Sequence, residues 1–118
     1  MEKLIKIGTE EVGFKATAST TRRYRERFNR DLFEDFSTIA PRFEKGEVKA
    51  TDLECFENIA YIMAKQYDPN IPDDPDEWLD SFEMLSIYTV LPQIIELWGL
   101  NNETLNVSKK KVGEQSGN

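Results

Sequence analysis

The 118-residue sequence contains no histidine and one cysteine, Cys55. Zinc sites built from cysteine and histidine, cysteine–histidine dyads and serine–histidine–aspartate triads are therefore excluded by inventory, and no internal disulfide can form. No run approaches the ~20 apolar residues of a membrane-spanning helix. The opening "MEKLIKIGTEE" meets charge within a few residues and has no signal-peptide apolar stretch. Without such a signal, the glycosylation sequons at Asn102 and Asn106 carry no weight. These absences predict a cytosolic protein without a membrane partner. Positive charge is also the minority: 15 Lys and Arg stand against 22 Asp and Glu, a net −7. That balance disfavours indiscriminate attraction to phosphate or anionic lipid. Only carboxylates, lysines and tyrosines remain for catalysis, and no pair of them stands apart from the general charge. The expectation is a non-enzyme with no catalytic, metal-binding or cofactor-binding residue.

What is present suits a small core: 39 % of residues are apolar and 11 % aromatic. One domain is expected over residues 1–100. The polar stretch "NNETLNVSKKKVGEQSGN", residues 101–118, has little to bury and is expected to be a flexible tail.

The fold class expected is α+β and mainly α-helical. Residues 3–18, "KLIKIGTEEVGFKATA", alternate in the β manner and predict a hairpin, with Leu4 and Ile5 through Ile7 on one strand and Val12, Phe14 and Ala16 on the other. Two strands alone are marginal in water, so the hairpin must pack on helices. Four or five helices are expected after it. "ASTT" offers N-cap oxygens ahead of "RRYRERFNR". Leu32, Phe36, Ile39 and Phe43 then share one helical face; Pro41 predicts a break or kink near Ile39 or Ala40, and Gly46 a stop. In "TDLECFENIAYIMAKQY", Thr51 and Glu54 read as a capping box, followed by one apolar stripe through Leu53, Phe56, Ile59 or Ala60, Met63 and Tyr67. The three prolines of "DPNIPDDPDEW" exclude helix and central strand, and Asp74, Pro75 and Glu77 signal the start of a short helix through Trp78, Leu79 and Phe82. A final apolar helix, "LSIYTVLPQIIELWG", is broken or bent by Pro92 and closed by Gly99.

The stretch that stands out is "STTRRYRERFNRDLF". Its residues 22–30 hold five arginines and one glutamate, a local charge of +4 in an acidic chain. A nucleic-acid-binding helix would want such a patch. Against it, Tyr24 and Phe28 stand four apart like core residues. Glu26–Arg30, Arg27–Asp31 and Arg30–Glu34 can also pair at i, i+4. A solvated, salt-bridged face is the plain alternative. Yet Arg22 and Arg23 lie in a first helical turn, where the dipole disfavours cations by ~0.3–1 kcal/mol each. A complementary surface exists in the same chain, for Gln66–Ser86 contains seven acidic residues and no basic one. The two faces permit head-to-tail contacts between copies, or an internal pairing. The residues singled out for partner binding are Arg22, Arg23 and Arg27 on the basic side and Asp73, Asp74, Asp76 and Asp80 on the acidic side. Trp98 is the candidate apolar anchor, since tryptophan and arginine dominate binding hot spots. Calcium is not expected in the acidic loop: Pro72 takes a ligand position, Asp73 replaces the required glycine, and Leu79 stands where the bidentate glutamate belongs.

In order and spacing, "FKATASTTRRYRERFNRDLFEDF", "FENIAYIMAKQ", "EWLDSF" and "IYTVLPQIIELW", followed by a polar tail with "SKKK", resemble the tail assembly chaperones of long-tailed phages and prophages of Gram-positive bacteria. The resemblance covers residues 3–111. It implies a non-enzymatic morphogenesis factor that binds the tape measure protein, keeps it soluble and helps recruit tail tube protein subunits. It also implies spiral self-association, action in the bacterial host cytoplasm and absence from the mature virion. Many such proteins have a longer frameshifted form, and Lys109–Lys111 is compatible with a slippery codon run. The rival expectations are a small acidic phage protein inhibiting a host nucleic-acid enzyme, and a helical nucleic-acid-binding regulator whose affinity falls steeply with salt.

Overall fold

The computed structural model describes residues 1–84, 86–90, 92–94 and 96–97. Trp98, Gly99 and the stretch 101–118 lie outside the described residues.

The alternating segments form an antiparallel hairpin of β1 (Glu2–Ile7) and β2 (Glu10–Lys15), in register from Glu2↔Lys15 to Ile7↔Glu10. Only Gly8 and Thr9 connect them. Gly8 has φ 64°, and glycine at positive φ in the first central position is what a type II′ hairpin turn requires. Beyond the strands, the Met1 ammonium donates to the Ala16 carbonyl at 2.7 Å and the Ala16 N–H to the Met1 carbonyl at 2.8 Å. Ile5, Ile7, Phe14 and Ala16 are buried, whereas Leu4 is exposed. Opposite Leu4 sits Gly13, directly under the Tyr67 ring: a Cβ there would come 2.1 Å from a ring carbon. Tyr67 of the third helix thus closes over the hairpin at this point, while Ile5, Ile7 and Phe14 join the main core.

Among the described residues there follow α1 (Thr20–Phe28), α2 (Leu32–Lys45), α3 (Ala50–Tyr67) and α4 (Pro75–Leu79). A 3-10 helix spans Ser86–Val90, and residues 92–94 and 96–97 are helical, so the chain changes helix type ahead of Pro92. The mainly helical α+β class with its N-terminal hairpin is thus the observed one.

The structure corrects the sequence reading in four places. The arginine helix stops at Asn29, whose left-handed backbone (φ 56°, ψ 40°) turns its N–H onto the Arg25 carbonyl. Helical register is lost there, so Glu26–Arg30, Arg27–Asp31 and Arg30–Glu34 are not among the ion pairs of the described residues. Second, of the two outcomes expected at Pro41 the ending does not occur: α2 runs through it to Lys45, where Gly46 is the expected stop. Pro41 and Ser37 both face solvent, so water can serve the carbonyl that the missing amide leaves open. On the opposite side, Leu32, Phe36 and Ile39 are buried. Third, the cap of α3 is not Thr51–Glu54. Asp52, 4 % exposed, accepts from the Lys49 N–H at 3.0 Å through Oδ2 and from Arg42 Nη1 at 2.9 Å through Oδ1. One carboxylate thereby caps α3 and ties it to the last turn of α2. Fourth, α3 is not buried along a single stripe: Ile59–Ala64 are buried in unbroken succession, while Tyr67 is partly exposed. Its middle is enclosed because β2, α1, α2 and α4 all pack around this helix.

Asp74 caps α4 by accepting from the Asp76 N–H at 3.1 Å, with Pro75 opening the helix. Trp78 is buried in the main core, edge-on to Tyr61 at 5.7 Å and to Phe82 at 5.1 Å.

Candidate protein-contact surface

The arginine-rich segment is positioned by what it buries. Tyr24 is fully buried and packs on Phe28 with ring centroids 5.3 Å apart, so this face of α1 is core and not a stacking platform. At its start, the buried Thr20 hydroxyl accepts from the Thr17 N–H and donates to Gln66 Oε1, both at 2.8 Å. Ser19 does not cap with its side chain; instead its hydroxyl accepts from Arg23 Nε at 3.1 Å.

α1 is fixed to α2 by a polar cluster in the core wall. The Tyr24 hydroxyl donates to Asp35 Oδ2 at 2.7 Å. Arg30 binds the same carboxylate with two prongs, Nε to Oδ2 and Nη2 to Oδ1, each at 2.7 Å. Burial pushes the Asp35 carboxyl up, but the Arg30 and Tyr24 hydrogen bonds and the Arg30 charge outweigh it and hold the group below its ordinary range. Burial, reinforced by the adjacent Asp35, pushes the Tyr24 hydroxyl far up. Arg30 is therefore a structural arginine. Sequence reasoning missed its partner, because Asp35 stands five residues away, outside any helical spacing.

With Tyr24 and Phe28 turned inward, the other arginines stand in solvent. Arg27 leaves them at the C-terminal end of α1. It donates from Nη2 to the Asp73 carbonyl oxygen, and its guanidinium carbon stacks 5.9 Å from the Tyr61 ring centroid. Asp73 is also taken by Lys65 at 2.8 Å, and that ammonium holds the Asp73 carboxyl below its usual range. Lys65 further donates to the carbonyls of Pro69 (2.8 Å) and Ile71 (2.6 Å), and the Tyr61 hydroxyl to that of Pro72 (2.6 Å). The proline-rich loop is thus pinned to α3 and α1. Here the basic and acidic faces do meet within one protomer, through Arg27 and Asp73 alone of the residues singled out in the sequence.

The remaining candidates divide into two separate surfaces. Arg22 and Arg23 stay exposed a little over one turn back along α1 from Arg27. Asp74, Asp76 and Asp80 are exposed at the two ends of α4. Beside Arg22 lies an open groove between α1 and the first turn of α2, lined by Thr21, Arg22 and Arg25 on one side and Asp31, Leu32 and Phe33 on the other. Arg25 and Phe33 belong to this surface and were not singled out in the sequence. Arg25 could have been, since it stands three residues from Arg22 on the same helical face. The acidic surface likewise extends beyond Asp80 to Glu83 and Met84, which border a common hollow with Tyr88.

Elsewhere, burial pushes the Cys55 thiol up, which keeps it in the unreactive protonated form. Burial also raises the Glu57 carboxyl, which accepts from the Tyr88 hydroxyl at 3.4 Å. No cluster of three potential metal ligands exists among the described residues. Among the same residues, no helix is long and apolar enough to cross a membrane. Compared with known protein families, curated proteins and solved structures, the chain matches none.

Proposed function

We propose that this protein is a tail assembly chaperone that works by protein–protein contact in the bacterial host cytoplasm. It holds the tape measure protein soluble and brings tail tube protein to it. The phage assignment rests on the resemblance of the four ordered segments described above. The contact mechanism is carried by one observation: Arg22, Arg23 and Arg25 form an exposed cationic row on a helix whose other face is locked into the core. Long side chains on a fixed helix can engage carboxylates of a partner at little further cost in backbone ordering. A long coiled-coil client offers such carboxylates along its length, and many copies of the chaperone can line it.

The test is co-expression with the long coiled-coil protein encoded downstream, scoring whether the client becomes soluble and co-elutes. Stoichiometric co-elution is expected, weakened by Arg22→Glu with Arg25→Glu. A client that stays insoluble and unbound beside well-folded protein overturns the reading. Salt-sensitive binding to DNA or RNA, or capture of a host nucleic-acid enzyme, would favour the regulator or the inhibitor in its place.

A further inference from the structure

The hollow between α3, the end of α4 and the 3-10 helix collects charge of one sign around an apolar tip. Met84 is 83 % exposed, more than any other large hydrophobic side chain among the described residues. The half-buried Leu79 and Phe82 continue its apolar surface. Asp80, Glu83 and Glu57 line the same hollow, and no lysine or arginine does. None of these three carboxylates takes part in an ion pair among the described residues. Burial raises the Glu57 carboxyl against the pull of its Tyr88 hydrogen bond, and the like charges of Glu54 and Asp76 push the same way as burial. Negative potential at this surface is therefore uncompensated by the groups around it.

Cations of the right number stand further along the same chain. Between Lys65 and Lys109 the sequence has nine acidic residues and no lysine or arginine. Lys109, Lys110 and Lys111 then come together, with Val107 shortly before them and Val112 directly after. Chain length alone lets them reach the hollow. The last described residue, Leu97, follows Tyr88 of the hollow by nine residues, which span at most about 32 Å. From Leu97 to Lys109 there are twelve residues, enough for about 43 Å. Residues 92–94 and 96–97 are helical, so the distance to be covered is shorter than that bound.

We propose that the lysine run at 109–111 docks in this hollow of its own chain. Its ammonium groups meet the Asp80 and Glu83 carboxylates, and Val112 packs on Met84. A connection of this length presents the lysines at about millimolar effective concentration, well above what a separate partner reaches at ordinary protein concentration. The contact is mainly ionic, so it asks little apolar burial of a polar segment. Its charges lie at the rim, and added salt weakens it. One consequence is that the exposed Met84 gains a cover. The contact uses neither the arginine row nor a client, and its failure leaves the solubilisation test above unaffected.

Limited trypsin digestion of the full chain tests it, with cleavage after Lys109, Lys110 and Lys111 followed by mass spectrometry. D80N/E83Q should speed that cleavage about fivefold, the worth of two exposed charge pairs. M84S should speed it as well. The substituted side chains are exposed and lie far along the chain from the scissile bonds, which keep their own sequence. Circular dichroism checks that each variant is folded. Zero-length carbodiimide coupling of wild type adds a readout that needs no substitution. It should join the lysine run to Asp80 or Glu83, and high salt should suppress the product. Mixing isotope-labelled with unlabelled chains separates a link within one chain from a link between two. Equal cleavage rates in wild type and folded D80N/E83Q overturn the proposal. So does a lysine run that couples to neither Asp80 nor Glu83, or that couples to them only between chains.

Discussion

Replacing Asp35 by asparagine probes the joint that presents the basic row. The substitution keeps size and shape but removes the charge and turns one acceptor oxygen into a donor facing Arg30. Two interactions suffer. The two-pronged Arg30 bond is charge-assisted, a class worth ~1.5–3 kcal/mol, but the Arg30 side chain is 54 % exposed and solvent screening brings its share down to about 1 kcal/mol. The Tyr24 bond is buried; the amide oxygen can still accept it, so its weakening adds roughly 0.5–1 kcal/mol. Asp35 also lies in the first turn of α2, where a negative charge favours the helix. The total is about 2 kcal/mol, or a melting temperature lower by roughly 8 °C for a domain of this size. Urea and thermal unfolding followed by circular dichroism would measure it. Tyr24→Phe completes a double-mutant cycle, with an expected coupling of about 0.5–1 kcal/mol. Acid supplies a further check. The folded Asp35 carboxyl titrates below its unfolded value of about 3.9, so its stabilisation is complete above that pH and is lost as pH falls through the folded value. The gap between wild type and Asp35→Asn should therefore close on acidification. At the other extreme, Tyr24 titrates above its unfolded value of about 10, so its contribution holds below that pH and fades as pH rises beyond it. An asparagine variant within ~0.5 kcal/mol of wild type at neutral pH would refute the reasoning. A gap that ignores pH would refute it too.

Two further predictions concern stability. Pro41→Ala should raise stability by about 1–3 kcal/mol, because α2 continues past this exposed position and proline there costs a backbone hydrogen bond. An unchanged urea midpoint would mean that the helix ends before Pro41. Gly13→Ala should destabilise by about 1–2 kcal/mol by pushing the Tyr67 ring off the hairpin, and most of that cost should vanish in a Tyr67→Ala background. An equal cost in both backgrounds would show that the ring is not what Gly13 accommodates.

Much of the fold was legible in local chemistry. Alternation marked the hairpin, three prolines marked the loop after α3, and Asp74–Pro75 marked the start of α4. The misses share a cause: each was decided by a group distant in the chain or by one backbone residue. Asn29 adopts the left-handed conformation and ends α1, although nothing in "RERFNRDLF" forbids a longer helix. Asp52 outcompetes Thr51 as the organiser of the α3 cap because Arg42 comes back over the loop to meet it. The site was legible as charge but not as shape. Composition found the basic and acidic faces, and the acidic loop was expected to find either a second copy or the same chain. Only the fold shows that Arg27 and Asp73 are joined internally, while Arg22 and Arg25 gain Phe33 as a neighbour when α1 and α2 fold back at Asn29. Trp98, the proposed apolar anchor, lies outside the described residues.

The most direct test of the chaperone account follows the client itself. A tape-measure-type coiled-coil protein is diluted from denaturant into buffer with increasing amounts of this protein, without nucleotide, and light scattering is recorded. The account predicts that scattering falls in proportion to added protein and is abolished at a fixed stoichiometry, with R22E/R25E shifting the curve to higher concentration. Scattering that stays unchanged under an excess of folded wild-type protein would contradict it.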